Sequence, residues 1–335
     1  MILHGTTFGG HPSKLHQTRL GVPRTALRAS LGPTLAVLSS LWLTGCGGGS
    51  SGDSVSTTDV APKNPTVTDI QADRLSYRQI TQFKVTGTAL DTSVTASASN
   101  CTGLIVVAPS SGSGTPASTT ELNWRCTPTA TGAAAVELQI KGVGTTVLKA
   151  QTFAVPDPQV TLVTTLGSLI VELNPTVAPV TVDNFLQYVR TAFYTNTLFH
   201  RVIGSFVAQA GWLVPAIGPA GNLLSTATAV PVVQAGAVAA IALESNKGLA
   251  NLRGTIAMAR TPDPNSATSQ FFFNLVDNPG LNYASDAQPG YAVFGRVVQG
   301  LSVMDAIGAV PTAARFGLSD FPVNDVLVQS AAQTK

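Results

Sequence analysis

Three short runs between residues 199 and 273 carry one arginine, two glutamines and several aromatic rings. Phe199-His200-Arg201-Val202-Ile203 is followed by Phe206-Val207-Ala208-Gln209 and later by Ser269-Gln270-Phe271-Phe272-Phe273. These runs hold no activated nucleophile, no carboxylate pair and no metal cluster. A cation, two neutral amides and apolar rings suit a reaction that breaks no bond and moves little proton charge. Rotation about an X-Pro peptide bond is such a reaction, with a barrier of about 18–20 kcal/mol set by loss of amide resonance. The twisting imide nitrogen gains a basic lone pair. A fixed guanidinium can donate to that lone pair while another of its donors holds the prolyl carbonyl. An interaction that strengthens only in the transition state lowers the barrier.

Arg201 is therefore the first candidate, with Gln209 and Gln270 as amides that orient it and bind substrate backbone. His200 is the only histidine after Cys46, so a Ser-His-Asp arrangement or a His-rich zinc site would have to use it. Adjacent side chains of a strand point to opposite faces; if Arg201 faces a groove, His200 is a packed, hydrogen-bonded residue. By the same alternation Phe271 and Phe273 are core.

The elements that must position these residues are short strands. Charged residues are 11% of the chain and glycine, proline and β-branched residues are plentiful, a composition of strands and turns. Val160–Thr164 and Leu169–Leu173 flank Gly167. Pro179 opens a helix in which Val182, Phe185, Leu186 and Val189 share one face. Strands are predicted over 199–203, 206–209, 255–259, 270–275 and 292–298, a second helix over Leu301–Ile307, and a closing strand at Val326–Val328.

Six collinear segments carry a resemblance. They are Val160–Gly167 with Val171–Leu173; Ala178–Phe185; the Phe-His-Arg-Val-Ile run; Gly254-Thr255-Ile256-Ala257-Met258-Ala259-Arg260-Thr261; Asn265–Phe272; and Gly290-Tyr291-Ala292-Val293-Phe294-Gly295. In this order the chain, from about Val160 to Gln329, resembles bacterial members of the cyclophilin family of peptidyl-prolyl isomerases. The resemblance implies an eight-stranded antiparallel barrel capped by two helices, no cofactor and no metal. It assigns the catalytic role to Arg201, with Phe206, Gln209, Gln270 and Phe272 completing the site. Phe206, Val207, Phe272 and Leu281 map onto the family's proline pocket. Ala259 and Arg260 map onto the segment that pairs with extended substrate, and Tyr291 onto the pocket rim. Val207 stands where methionine is common, Arg260 where asparagine is common and Tyr291 where animal members have histidine. Gly280 falls where an aromatic residue grips cyclosporin, which implies weak cyclosporin binding with isomerase activity retained.

The formal charge of +2 is misleading. Of 19 Lys and Arg, four (Lys14, Arg19, Arg24, Arg28) precede residue 46, where no acid occurs; the remaining 15 face 17 Asp and Glu, a net charge near −2. No nucleic-acid footprint results. Residues 1–45 read as a lipoprotein signal peptide: Arg24 and Arg28, an apolar run Leu31–Leu43 too short to span a bilayer, then Leu43-Thr44-Gly45-Cys46, which resembles a lipobox with Cys46 as the lipidated residue. Residues 1–23, with His4, His11 and His16, fit no part of a signal peptide, so translation is expected to start later, near Val22. Residues 46–63 are a flexible Gly/Ser/Thr linker.

Residues 64–156 alternate strand runs with turns. Phe83 and Val85 share a face in Thr81–Gly87; Val136, Leu138 and Ile140 share one in Ala135–Lys141; Thr146–Leu148 and Gln151–Val155 follow. Such spacing reads as a small, loosely immunoglobulin-like β-sandwich. Cys101 and Cys126 are expected to pair in an exported chain, with Ser110–Thr120 a polar loop. Pro156-Asp157-Pro158 marks the junction to the isomerase-like residues 157–331. Residues 212–240, rich in Pro, Gly and Ala and almost uncharged, are either a surface loop or a contact patch.

The expected protein is mainly β: a monomeric, periplasmic isomerase, anchored through Cys46 to the outer membrane, acting on proline-containing exported polypeptides. The alternative is a non-catalytic periplasmic chaperone or binding module using the same groove.

Overall fold

Alternating apolar residues build the first half of the described chain from strands β1 (Thr66–Ala72), β2 (Thr81–Thr88), β3 (Thr95–Ala98), β4 (Cys101–Val107), β5 (Glu121–Pro128), β6 (Gly132–Lys141) and β7 (Val147–Val155). A computed structural model describes residues 64–91, 93–107 and 120–335. The signal peptide, the His4–His16 segment, Cys46, the linker and most of the Ser110–Thr120 loop lie outside the described residues. Among the described residues these strands form two antiparallel sheets, ordered β1-β2-β5-β4 and β3-β6-β7. Phe83, Val85, Val136, Leu138 and Ile140 are fully buried, with Trp124 nearly so. The Cys101–Cys126 disulfide is present with its Cα atoms 5.6 Å apart. It joins neighbouring strands β4 and β5 of one sheet.

The second half begins after Pro156-Asp157-Pro158 with β8 (Gln159–Thr164), β9 (Gly167–Leu173) and helix α1 (Pro179–Arg190). Proline sits in the first turn of α1, where its missing N–H is harmless. The Glu244 carboxylate accepts from the Thr181 N–H (2.8 Å) and hydroxyl (2.8 Å), placing negative charge at the positive end of the helix. Val182, Phe185 and Leu186 are buried. Then come β10 (Thr197–Leu198), β11 (Arg201–Val202), β12 (Val207–Ala210), β13 (Leu213–Val214), β14 (Val232–Val233), β15 (Thr255–Met258), β16 (Phe271–Asn274), β17 (Val293–Gln299), helix α2 (Leu301–Gly308), β18 (Thr312–Arg315), β19 (Leu318–Pro322) and β20 (Leu327–Gln333).

Among the described residues one sheet contains nine of these strands, ordered β10-β20-β8-β9-β17-β15-β16-β12-β11, where the resemblance implied eight. Its two edges are the halves of a single run. The strand predicted over 199–203 is confined to Arg201–Val202, with β10 just before it, because the Phe199 N–H bonds the Val326 carbonyl (2.9 Å) and the His200 N–H bonds the Gln209 carbonyl (3.1 Å). The chain leaves β20 and joins β12 at these two residues, so the sheet curls until one run serves both ends.

The 212–240 segment is a folded surface excursion. Here β13 pairs with β14, and the Gln234 side chain bonds the Phe193 carbonyl (2.7 Å). Ile217, Val230 and Val233 remain exposed. The β-sandwich contacts the helix α1 directly: Asp183 accepts from the Tyr77 hydroxyl (3.0 Å) and from Arg78 Nε (2.9 Å). Burial and the Asp183 charge push the Tyr77 phenol up to about 12.

Candidate active site

Residues directly opposite one another on paired strands share a face. Arg201 of β11 lies opposite Gln209 of β12, Gln209 opposite Phe272 of β16, Phe272 opposite Ala257 of β15, and Ala257 opposite Val293 of β17. One row of side chains thus runs across five strands. The alternate row, Val202, Ala208, Phe273 and Ile256, belongs to the main core. Phe271 and Phe273 are fully buried and pack edge-to-face at 5.7 Å, and Phe271 also meets Phe185 of α1 at 5.6 Å.

The row facing away from that core builds a second apolar cluster. Val207, Ala257, Ala259, Phe272, Leu281 and Val293 form it, with Phe206, Leu249 and Tyr291 packed against it. The Phe272 and Tyr291 rings meet edge-to-face at 5.6 Å. Six residues predicted from the sequence for the pocket and its rim therefore come together: Phe206, Val207, Ala259, Phe272, Leu281 and Tyr291. Gly280 precedes Leu281 in a 3-10 turn, and a Cβ placed on it would meet no atom within 4 Å.

Beside this cluster the polar groups converge. Gln209 Nε2 donates to Gln270 Oε1 at 2.9 Å. The Arg201 guanidinium carbon lies 5.8 Å from the centre of the Phe206 ring. Arg201 Nη1 is buried and has no hydrogen-bond partner among the described residues. Arg260 is placed differently: Nε donates to the Gly290 carbonyl (2.9 Å), Nη1 donates to the Thr261 carbonyl (2.9 Å), and the guanidinium covers the Tyr291 ring at 4.7 Å. Its charge is committed to holding the rim. Burial raises the Tyr291 phenol above its ordinary value, opposed by the charges of Arg260 and Arg201.

His200 is buried against Trp212, ring centres 5.3 Å apart, and burial pushes its pKa down to about 4. It is packed and neutral. Its Nδ1 has no partner among the described residues, while the Leu198 backbone and the Gln270 side chain lie within hydrogen-bonding reach of the ring.

Sequence reasoning missed four neighbours. Ala257, Val293 and Leu249 complete the apolar cluster; alternation along 255–259 and 292–298 was enough to place the first two on the outer face. Asp320 was not readable. Its carboxylate lies 3.9 Å from Arg201 Nε, on a hairpin of β18 and β19 that packs over β11. The turn has positive φ at both Phe316 (54°) and Gly317 (76°). A phenylalanine at such a position hides a turn that asparagine-glycine would have announced.

Known proteins match this half of the chain. The family model for cyclophilin-type peptidyl-prolyl cis-trans isomerases matches residues 159–333. Peptidyl-prolyl cis-trans isomerase cyp18 of Streptomyces antibioticus is 44% identical over 174 residues, covering 51% of this chain and 96% of the relative. Peptidyl-prolyl cis-trans isomerase B of Escherichia coli is 42% identical over 173 residues, covering 51% and 96%. A crystal structure of a cyclophilin-type isomerase from Cryptosporidium parvum aligns with 53% of this chain and 98% of its own, at 24% identity and a TM-score of 0.41. With more than half its length matched by the family model, the chain belongs to the cyclophilin-type peptidyl-prolyl cis-trans isomerases.

Proposed function

We propose that the outer row of the curled sheet is the isomerase site, and that it rotates X-Pro bonds by electrostatic stabilisation of the twisted imide. The observation that carries this is the state of Arg201: a guanidinium with a buried Nη1 that has no hydrogen-bond partner among the described residues, in one row with Gln209 and Phe272 beside a separate apolar cluster. The proline ring rests on Phe272, Val207 and Leu281, walled by Phe206. Gln209 and Gln270 hold substrate backbone, and Ala259 with Arg260 forms the edge along which the peptide extends. As the imide nitrogen pyramidalises, Arg201 donates to its lone pair, an interaction absent from the planar ground state. No group in this scheme exchanges a proton with substrate.

The substrates are proline-containing exported polypeptides, whose slow X-Pro steps otherwise take tens of seconds or more. The Cys101–Cys126 bridge supports an oxidising compartment. The strand orders 1-2-5-4 and 3-6-7 support an immunoglobulin-like reading of the N-terminal module, although its bridge lies within one sheet. Lipidation at Cys46, placement at the outer membrane and a monomeric state complete the reading. Labelling by a fatty-acid probe that survives Cys46→Ser would remove the anchor from it.

The site is tested by the isomerisation rate of an Ala-Pro peptide with the purified protein and its Arg201→Ala variant. The variant is expected to lose about 10²–10³-fold in kcat/KM, the scale of one preorganised transition-state donor, with an unchanged melting temperature. A folded variant with full activity would remove Arg201 from the chemistry; a wild type and a variant that are both folded and inactive would assign the groove to binding alone.

A further inference from the structure

Two walls of the pocket are held by the ladder and two are not. Phe272 and Val207 lie on paired strands, whereas Phe206 precedes β12 and Leu281 closes a 3-10 turn. Three buried asparagines span the gap. Asn278 Nδ2 donates to the Phe206 carbonyl (3.0 Å) and to Asn274 Oδ1 (2.8 Å). Asn274 Nδ2 donates to Asn251 Oδ1 (3.2 Å) and to Thr255 Oγ1 (2.9 Å). Asn251 Nδ2 donates to the Leu281 carbonyl (3.0 Å) and to Asn282 Oδ1 (3.1 Å). Both hydrogens of each amide are used, and the chain runs from the backbone of one wall to that of the other. Asn251 and Asn274 are completely buried. Asn274 lies opposite Val207 on the face of the sheet that carries Phe272.

Burying three amides is unfavourable unless every group is bonded, and a fully bonded network fixes one geometry. We propose that Asn251, Asn274 and Asn278 are positioning residues that set the separation of Phe206 and Leu281, and with it the fit of the proline ring. This rests on the reading of the groove as the isomerase site. The Phe206 carbonyl also accepts from the Leu275 N–H (3.0 Å), and the Leu281 carbonyl from the Tyr291 N–H (2.9 Å). Truncating an asparagine therefore releases the wall from the chain without leaving its carbonyl bare.

The test uses the full-length protein and an Ala-Pro peptide. Asn278→Ala and Asn251→Ala should each raise KM about tenfold and change kcat by less than about twofold, and the double variant should be no worse than the worse single one, because both cut one chain. An unchanged KM, a fall in kcat alone or additive effects would overturn the proposal. Arg201→Ala, measured alongside, should lower kcat at near-normal KM. If it does so while the asparagine variants behave like wild type, the groove reading stands and the network proposal falls; if Arg201→Ala is fully active, both fall. Should an asparagine variant fail to fold, the wild-type protein decides. On peptide titration the Nδ2 resonances of Asn278 and Asn251 should shift with the same midpoint as the Phe272 backbone amide. Resonances that stay fixed at saturation reject the network.

Discussion

Phe271, Phe272 and Phe273 are three identical residues in a row with two different jobs. The outer two lie in the main core, against Phe185 and Phe199; the middle one lies in a separate cluster with Leu281 and Tyr291. The same contrast separates His200, packed under Trp212, from Arg201 beside Phe206. A strand offers chemistry to one side and stability to the other, and the side a residue faces outweighs its type. The outer cluster is apolar and separate from the main core.

The contrast breaks first if the phenylalanines prove interchangeable. Phe273→Ala should cost about 3–5 kcal/mol by chemical denaturation and leave turnover little changed, while Phe272→Ala, also at a buried position, should in addition lower kcat/KM toward Ala-Pro peptides by about tenfold or more. Equal stability losses with unchanged activity would merge the two faces into one core.

His200 sharpens it next. Its folded pKa of about 4 lies below the ordinary 6.5 because of burial, so on acidification the unfolded chain takes up a proton before the folded one. The stability this adds is fully present above about pH 6.5 and is lost as pH falls toward 4, about 3 kcal/mol in all. Denaturation between pH 7 and 4 should show that loss, and His200→Gln should flatten it. Isomerase activity of the wild type should stay level from pH 6.5 to 9, since the outer row requires no proton exchange. A rate that titrates with His200 would move that residue to the chemical side.

The smallest effect concerns the rim. Gly280 has open space where a side chain would begin, so Gly280→Trp should fold normally and add an aromatic edge to the pocket. Cyclosporin, expected to bind wild type weakly, should bind the variant about tenfold more tightly in a fluorescence titration. Low-nanomolar binding by the wild type would mean that other walls supply the grip.

Arg201, Gln209 and Phe272 could be placed without coordinates because they sit on strands with a two-residue period, whereas Phe206, Ala259, Leu281 and Tyr291 came from the family resemblance. That period separated Phe272 from its neighbours and Arg201 from His200. Helix α1 was readable from Pro179 and the spacing of Val182, Phe185, Leu186 and Val189. The hairpin at 312–322 was not, because Phe316 occupies a left-handed turn position that the sequence does not advertise. The segment 212–240 left two readings open because neutral Pro/Gly/Ala text has no period; it folds through contacts such as Gln234 with Phe193.

Local order in the chain determined several of the strands and which of their residues share a face with Arg201, since periodicity and turn chemistry act over a few residues; the barrel was implied by the family resemblance. Tertiary structure alone decided which distant groups meet: Asp320 with Arg201, Asp183 with Tyr77 and Arg78, and the three asparagines that connect Phe206 to Leu281. Alternation tells a residue which face it occupies. Its neighbours on that face come from strand order and register, which only the curled sheet fixes.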